Sequence, residues 1–311
     1  MSHIPVLEIG GTHVTAAVID TDAGLPVPRS VVRHPVAADA AAGELLDAIA
    51  GAADRADVCE GAHWGVAIPG PFDYAAGVGR FRGIGKFESL HGVDVRAELL
   101  RRLPGRPRGI SFINDADAFA VGEYRAGAAA GHERAVCITL GTGVGSSFLE
   151  GGQPVGGGPD VPPEGRAHRL TVGGLPLEEV VSRRAIRRYY TDLAGGAHEG
   201  RAPDVHDIAA LARDSDPYAQ RTIRHCFGAL GRALAPWCER FGASLVVVGG
   251  SMTGSWDLVG PAIRAGLQAA TPGTAPPLAT ALRPADAPLI GAAHWAPHAR
   301  VKRCHVRRDL E

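Results

Sequence analysis

Three short glycine clusters close apolar runs: Gly10-Gly11-Thr12, Gly141-Thr142-Gly143-Val144-Gly145 and Gly249-Gly250-Ser251. A strand ending in glycines presents backbone N–H groups with no Cβ in the way, which holds phosphate oxygens without a fixed charge. Taken singly, each cluster is more often just a tight hairpin turn. The GxGxxG of dinucleotide sites and the GxxxxGK[ST] loop are both missing. Between the first two clusters lies Ile113-Asn114-Asp115-Ala116, where an apolar strand gives way to a small-residue helix. In phosphoryl transfer to an alcohol, the attacking hydroxyl loses its proton as it approaches phosphorus in line. A carboxylate within hydrogen-bond reach therefore suits the general-base role, and Asp115 is the candidate. The same residue also suits a helix N-cap, and on the local motif alone the cap is the better reading. Asp117 reads as a first-turn carboxylate favoured by the helix dipole.

The elements that must position these residues follow from the apolar spacing. VLEIGGT and VTAAVID form a strand, glycine turn and strand over residues 5–19, and AVCITLGTGVGSSFLEGG repeats that logic about 130 residues later. The echo predicts a duplicated unit in two domains facing each other across a cleft. We place the smaller domain at residues 1–113 plus about 292–311, and the larger at 114–291. HWGVAIPGP, GISFIND and SLVVVGGS read as further buried strands. Helical spacing covers residues 38–56, 93–103, 116–125, 177–193 and 205–241. Residues 151–174 are too rich in Gly and Pro for regular structure and read as a long functional loop.

Composition sets the class. With 311 residues, 45% hydrophobic and 21% charged, the chain can bury a core in each domain and is not intrinsically disordered. A net charge of −1 provides no uniform basic field, which excludes nucleic acid and an anionic membrane as partners and favours a small neutral or locally anionic ligand. Cys59, Cys137, Cys226, Cys238 and Cys304 form no CxxC pair and are odd in number, so no disulfide framework or cysteine zinc cluster is expected. With no leader and no membrane-length apolar run, a soluble cytoplasmic protein is expected. All but two of the 32 basic residues are arginine, the exceptions being Lys86 and Lys302. The basic tail RVKRCHVRR reads as a solvated helix end or frayed terminus, and Trp64, Trp237, Trp256 and Trp295 as scattered core or interface residues.

Order and spacing say more than any single motif. EIGGT, VAIPGP, INDADAFAVGE, ITLGTGVGSS, VVVGGS and PLIGAA occur in that order. Through them the chain, from Val6 to about Ala296, resembles the ROK family, whose kinases belong to the actin and hexokinase superfamily. The resemblance implies an α/β, two-domain ribonuclease-H-like fold of the actin-like ATPase type. It also implies ATP and Mg²⁺ as cofactors and transfer to a hexose hydroxyl, often the 6-position. Gly10, Gly11 and Thr12 would then carry the first phosphate motif, and Gly141, Thr142, Gly143 and Gly145 the second. Gly249, Gly250, Ser251 and Met252 would lie at adenosine. Asp115 is the base, Asn114 lies on the sugar, and Gly70 belongs to a sugar-side loop bordered by Arg82, Lys86 and Glu88; Lys86 by itself reads as solvated. The family is often dimeric or tetrameric.

The departures from the pattern narrow the reading. Glu8 stands where the family has Asp, which lengthens the arm toward the water shell of the metal. The family's zinc loop is shortened: His168 matches the family His and Glu178 the Glu that follows the zinc loop, but Pro176 stands where the last Cys would be. With no thiolates to gather, no zinc site is expected. Glu164, one place from the family Glu, remains with His168 and Glu178 a set of partners for sugar hydroxyls. The other histidines lack metal-ligand spacing. The altered segment moves the expected substrate from plain glucose toward an amino sugar such as glucosamine or kanosamine, or a cyclitol. The rival expectations are a sugar-sensing regulator, disfavoured because the first phosphate strand begins within a few residues of Met1, and a kinase-like binding protein without turnover, prompted by Glu8.

Overall fold

A computed structural model of the protein describes residues 3–54, 56, 58–195 and 203–296. Lys302, Cys304 and the rest of the basic tail lie outside the described residues. Two compact units emerge, Met1–Gly127 with Ala285–Glu311, and Ala128–Pro284.

In the first unit, β1 (His3–Ile9) and β2 (His13–Asp20) pair antiparallel from His3↔Asp20 to Ile9↔Val14, around the Gly10-Gly11-Thr12 turn. The two-residue strand β3 (Leu25–Pro26) and β4 (Val32–Pro35) continue along β2. On its other side β1 runs parallel to β5 (His63–Ile68), which runs parallel to β8 (Gly109–Asn114). A small antiparallel pair, β6 (Phe72–Asp73) and β7 (Val78–Gly79), follows β5. Parallel strands covered on both faces bury continuous apolar runs, and Val6, Leu7, Val66, Ala67 and Ile68 are all fully buried. One face packs on α1 (Ala42–Ala53) and α2 (Val95–Arg102) through Leu7, Ile9, Leu45, Ile49, Trp64 and Leu99. Helix α1 is shorter than the 38–56 expected, and α2 begins where the Asp94 carboxylate accepts the Ala97 N–H at 2.9 Å.

The opposite face carries α3 (Asp115–Ala126) and the closing helix, Ala287–Trp295. Their backbones meet where each carries glycine: a methyl on Gly122 would collide with the Ala287 carbonyl, and one on Gly291 with the Ala118 carbonyl. This crossing ties α3 to β5 and β8, so the first unit runs on to Gly127 and resumes at Ala285, whereas the sequence places its limits at 113 and about 292.

The second unit repeats the scheme. Strands β9 (Arg134–Leu140) and β10 (Val144–Glu150) form an antiparallel hairpin around the second glycine cluster. Strand β11 (Gln153–Pro154) extends β10, and the short hairpin β12 (Thr171–Val172) and β13 (Leu175–Pro176) stands apart from the sheet. On the far side, β9 runs parallel to β14 (Leu245–Gly249) and β14 to β15 (Leu278–Thr280). The expected helix over 177–193 divides at Ser182, whose backbone is extended and whose Oγ accepts the Ala185 N–H at 3.3 Å. This gives α4 (Glu178–Val181) and α5 (Arg183–Leu193). The expected 205–241 helix is likewise two, α6 (Val205–Arg213) and α7 (Pro217–Phe241), because the Asp216 carboxylate caps Ala219 N–H at 2.6 Å with Pro217 in the first turn. Helix α8 (Trp256–Ala270) packs on α7. Trp64 is fully buried, Trp237 and Trp256 are half-buried, and Trp295 is exposed. Cys137, Cys226 and Cys238 are buried free thiols, and desolvation pushes the last two up to about 12.

Candidate active site

In the first unit, the ends of three parallel strands converge. Register pairs Glu8 with Ala67, Ala67 with Ile113, and Ile68 with Asn114. Glu8, Gly70, Asn114 and Asp115 therefore stand along one sheet edge with the Gly10–Thr12 turn, the edge where open parallel sheets bind ligands. The turn is closed by Gly10 N–H donating to the His13 carbonyl at 2.8 Å, and Thr12 Oγ1 lies 2.9 Å from His13 Nδ1.

Asn114 caps α3: its Oδ1 accepts the N–H groups of Ala116 at 3.1 Å and Asp117 at 3.3 Å. Its Nδ2 donates to Tyr74 Oη at 3.0 Å, and that hydroxyl donates to the Ile68 carbonyl at 3.2 Å. A Cβ on Gly70 would lie 3.5 Å from the same hydroxyl. Tyr74, which sequence reasoning missed, thus links the sugar-side loop to the strand that carries Asp115. No short-range signal marks it, because its partners lie in other elements.

Asp115 is the first residue of α3 rather than its cap, although its Oδ1 accepts the Ala116 N–H at 2.9 Å. It acts electrostatically on Glu8. Burial first, and the Asp115 charge second, push the Glu8 carboxyl up to about 7, against the opposing influence of a Thr15 hydrogen bond and the Arg33 charge. Two carboxyls held this way, one reluctant to ionise, are a hard-oxygen donor set that a small divalent cation would satisfy together with water and phosphate oxygens. Among the described residues, no group of three or more His, Cys, Asp or Glu side chains is arranged to hold a metal ion by itself.

In the second unit, the second and third glycine clusters are neighbours. Gly249 pairs with Thr139 at the end of β9, and Gly250, at φ 92°, lies so close to the Leu140 backbone that a methyl there would overlap it. Gly141 N–H donates to the Gly143 carbonyl at 3.1 Å, and Gly145 pairs with Thr139 as β10 begins. Ser251 is exposed, whereas Met252 is buried. Thr142 is exposed at the tip of its turn.

Glu178, the first residue of α4, rests its Oε1 against Gly143 so closely that a methyl there would collide with it. The Glu178 charge reaches His168, which is half-buried; burial, the larger effect, holds the imidazole below its ordinary value despite that carboxylate. A neutral imidazole offers one donor and one acceptor, which suits a hydroxyl. The loop before it is fixed from β10: the buried Ser146 Oγ donates to the Gly165 carbonyl and accepts the Ala167 N–H, both at 2.7 Å. Arg166 adds a hydrogen bond to the Ser146 carbonyl at 3.0 Å. Glu164 is exposed, in a left-handed conformation at φ 58°, with its carboxylate accepting from Arg169 at 2.9 Å, and its charge, like that of Glu178, also reaches His168, as the weakest of the influences on that imidazole.

Among the described residues no helix is long and apolar enough to cross a membrane. The sequence profile of the ROK family matches residues 5–299. The chain is 31% identical to a glucokinase of Streptomyces coelicolor over 83% of this chain and 84% of that protein. Among solved structures, it resembles a ROK hexokinase from Thermus thermophilus with a TM-score of 0.74, at 29% identity, covering 94% of this chain and 97% of the other. It also resembles a ROK family glucokinase from Streptomyces griseus, determined in complex with glucose and AMPPNP, with a TM-score of 0.76 at 26% identity over 96% and 100% of the two chains.

Proposed function

Because the chain belongs to the ROK family and is a sugar kinase of the actin-like ATPase fold, we propose that it transfers the terminal phosphoryl group of ATP to a hydroxyl, at the 6-position, of a hexose or amino sugar such as glucose, glucosamine or kanosamine. The observation that carries this reading is the Glu8 and Asp115 carboxyl pair at the strand ends beside the Gly10–Thr12 turn. Asp115 is the general base. As the sugar oxygen forms its bond to the terminal phosphorus, the hydroxyl proton passes to the Asp115 carboxylate and the bond to the ADP oxygen breaks. Asn114, by capping α3, fixes the backbone from which that carboxylate projects. His168 and Glu178 bind sugar hydroxyls. The Gly141–Gly145 and Gly249–Ser251 turns offer amides and open backbone to the nucleotide.

Mg²⁺, held through Glu8 by way of water, would supply charge neutralisation on the phosphates and leave the Asp115 carboxylate to take the proton. Glu8 keeps its negative charge for that cation only by giving up the proton that burial favours.

A coupled assay of ADP formation across hexoses, amino sugars and cyclitols tests the reading. Turnover on at least one sugar is expected. Asp115→Asn should lower kcat by roughly 10²-fold or more, the span of general-base catalysis, while sugar affinity measured by calorimetry stays within about twofold. A variant near the wild-type rate removes Asp115 from the base role. Preference for cyclitols would move the substrate class, and tight sugar binding with no turnover would favour a sensor.

A further inference from the structure

Lysine is almost absent from this chain, since arginine fills all but two of its basic positions, and Lys86 is the sole lysine among the described residues. The two cations differ in kind: arginine presents a planar fork, lysine a compact, mobile point charge. The loop that carries Lys86 is pinned on both sides of it. On one side, the Glu88 carboxylate accepts the Gly85 N–H at 2.9 Å, and the Gly85, Gly83 and Ile84 amides hold it below the usual carboxylate range. On the other, Phe87 adopts a left-handed backbone at φ 56°, is fully buried with its ring 5.4 Å from that of Phe81, and donates its N–H to the Ala38 carbonyl at 2.7 Å. Between these anchors the Lys86 stem crosses the first glycine turn: its Cδ lies 3.8 Å from the point a Cβ of Gly11 would occupy. The side chain is half-buried, and among the described residues no carboxylate or other hydrogen-bonding group partners its ammonium. A cation held beside turn amides without an internal counter-charge calls for an anion from outside.

We propose that Lys86 is a binding residue for the phosphoryl donor, its ammonium contacting the anionic phosphate chain at the Gly10–Thr12 turn. This rests on the reading of that turn as a phosphate site given above. It replaces the solvated role that Lys86 has in the sequence taken by itself. The part assigned to Glu88 is positional, keeping the loop closed so that the ammonium stays at the turn.

The test is Lys86→Met, which keeps the apolar stem and removes the charge, with inorganic tripolyphosphate, adenosine and the preferred sugar titrated separately into the full chain in magnesium buffer. Charge-assisted contacts predict tripolyphosphate affinity and kcat/KM for ATP at least about tenfold lower in the variant. Adenosine affinity, sugar KM and the thermal midpoint should match wild type. Unchanged tripolyphosphate affinity and kcat/KM for ATP in Lys86→Met, with wild type binding and turning over normally, would overturn the assignment of Lys86 alone. A loss confined to sugar KM would overturn it equally. A wild-type protein that neither binds tripolyphosphate nor forms ADP on any sugar would overturn the reading of the turn and the role of Lys86 together.

Discussion

Glu8 sits in an environment far from that of a free carboxylate. In the unfolded chain such a group ionises near its ordinary value of 4.5, whereas in the fold it holds its proton to about 7. Between those values the folded state binds more protons than the unfolded one, so stability falls as pH rises through the window, by up to roughly 3 kcal/mol once pH passes 7. Glu8→Gln carries no titrating group. Urea denaturation of metal-free protein at pH 5 and pH 8 should therefore show a smaller loss in the variant than in wild type, and equal losses would mean that Glu8 is not held protonated. His168 runs the other way. Burial lowers its pKa, so its neutral form persists at neutral pH, and sugar KM should stay level above the ordinary imidazole range and rise only below it. Adjacent residues show where the sequence was ambiguous. Asn114 and Asp115 are both good caps, and only the extended backbone of Asn114 decides that it takes the cap and leaves Asp115 as the first helical residue. Glu164 sits one place from the expected register, and its left-handed backbone directs the carboxylate to Arg169.

At the scale of elements, local signals located the strands and the glycine turns, because paired glycines weaken a strand or helix interior and suit the turn that ends it. They overran the ends of α1 and ran through two helix breaks. The apolar period continues across Asp216-Pro217 and across Ser182, and it is the side-chain caps there that stop one helix and start the next. The two-residue strands β6, β7 and β11 carry no period at all, so only tertiary pairing reveals them. Ser146 belongs to this scale as well. Its hydroxyl fastens the segment before His168 to β10, and no spacing in the sequence shows a serine in a glycine-rich hairpin reaching residues 165 and 167. Ser146→Ala leaves the buried Gly165 carbonyl and Ala167 N–H without that partner, a cost of about 1–3 kcal/mol. Because the freed segment carries His168, sugar KM should rise severalfold more than the KM for ATP in steady-state assays. Equal changes in both would make Ser146 a purely structural residue.

For the whole molecule, the glycine hairpins predicted a repeat, and each unit has the same sheet plan: an antiparallel hairpin whose first strand is extended by two parallel strands. The limits of the units were less legible, because what assigns α3 to the first unit is a crossing between segments from opposite ends of the chain. Let α9 denote that closing helix (Ala287–Trp295). At Gly122 and Gly291 the obstacle to a methyl group is backbone of the other helix, which cannot rotate aside as a side chain would. Gly122→Ala should therefore cost about 1–3 kcal/mol through overpacking, more than offsetting the usual helix gain from alanine. Gly51→Ala in α1, where nothing lies within 4 Å of the new methyl, should be neutral or stabilise by up to about 1 kcal/mol. Since α3 begins with Asp115, separating α3 from α9 displaces the base, and Gly122→Ala should also lower kcat while Gly51→Ala leaves it unchanged. Thermal denaturation paired with kcat on the preferred sugar checks both variants. A destabilised Gly122→Ala protein with wild-type kcat would show that the crossing supports the fold without setting the position of the carboxylate.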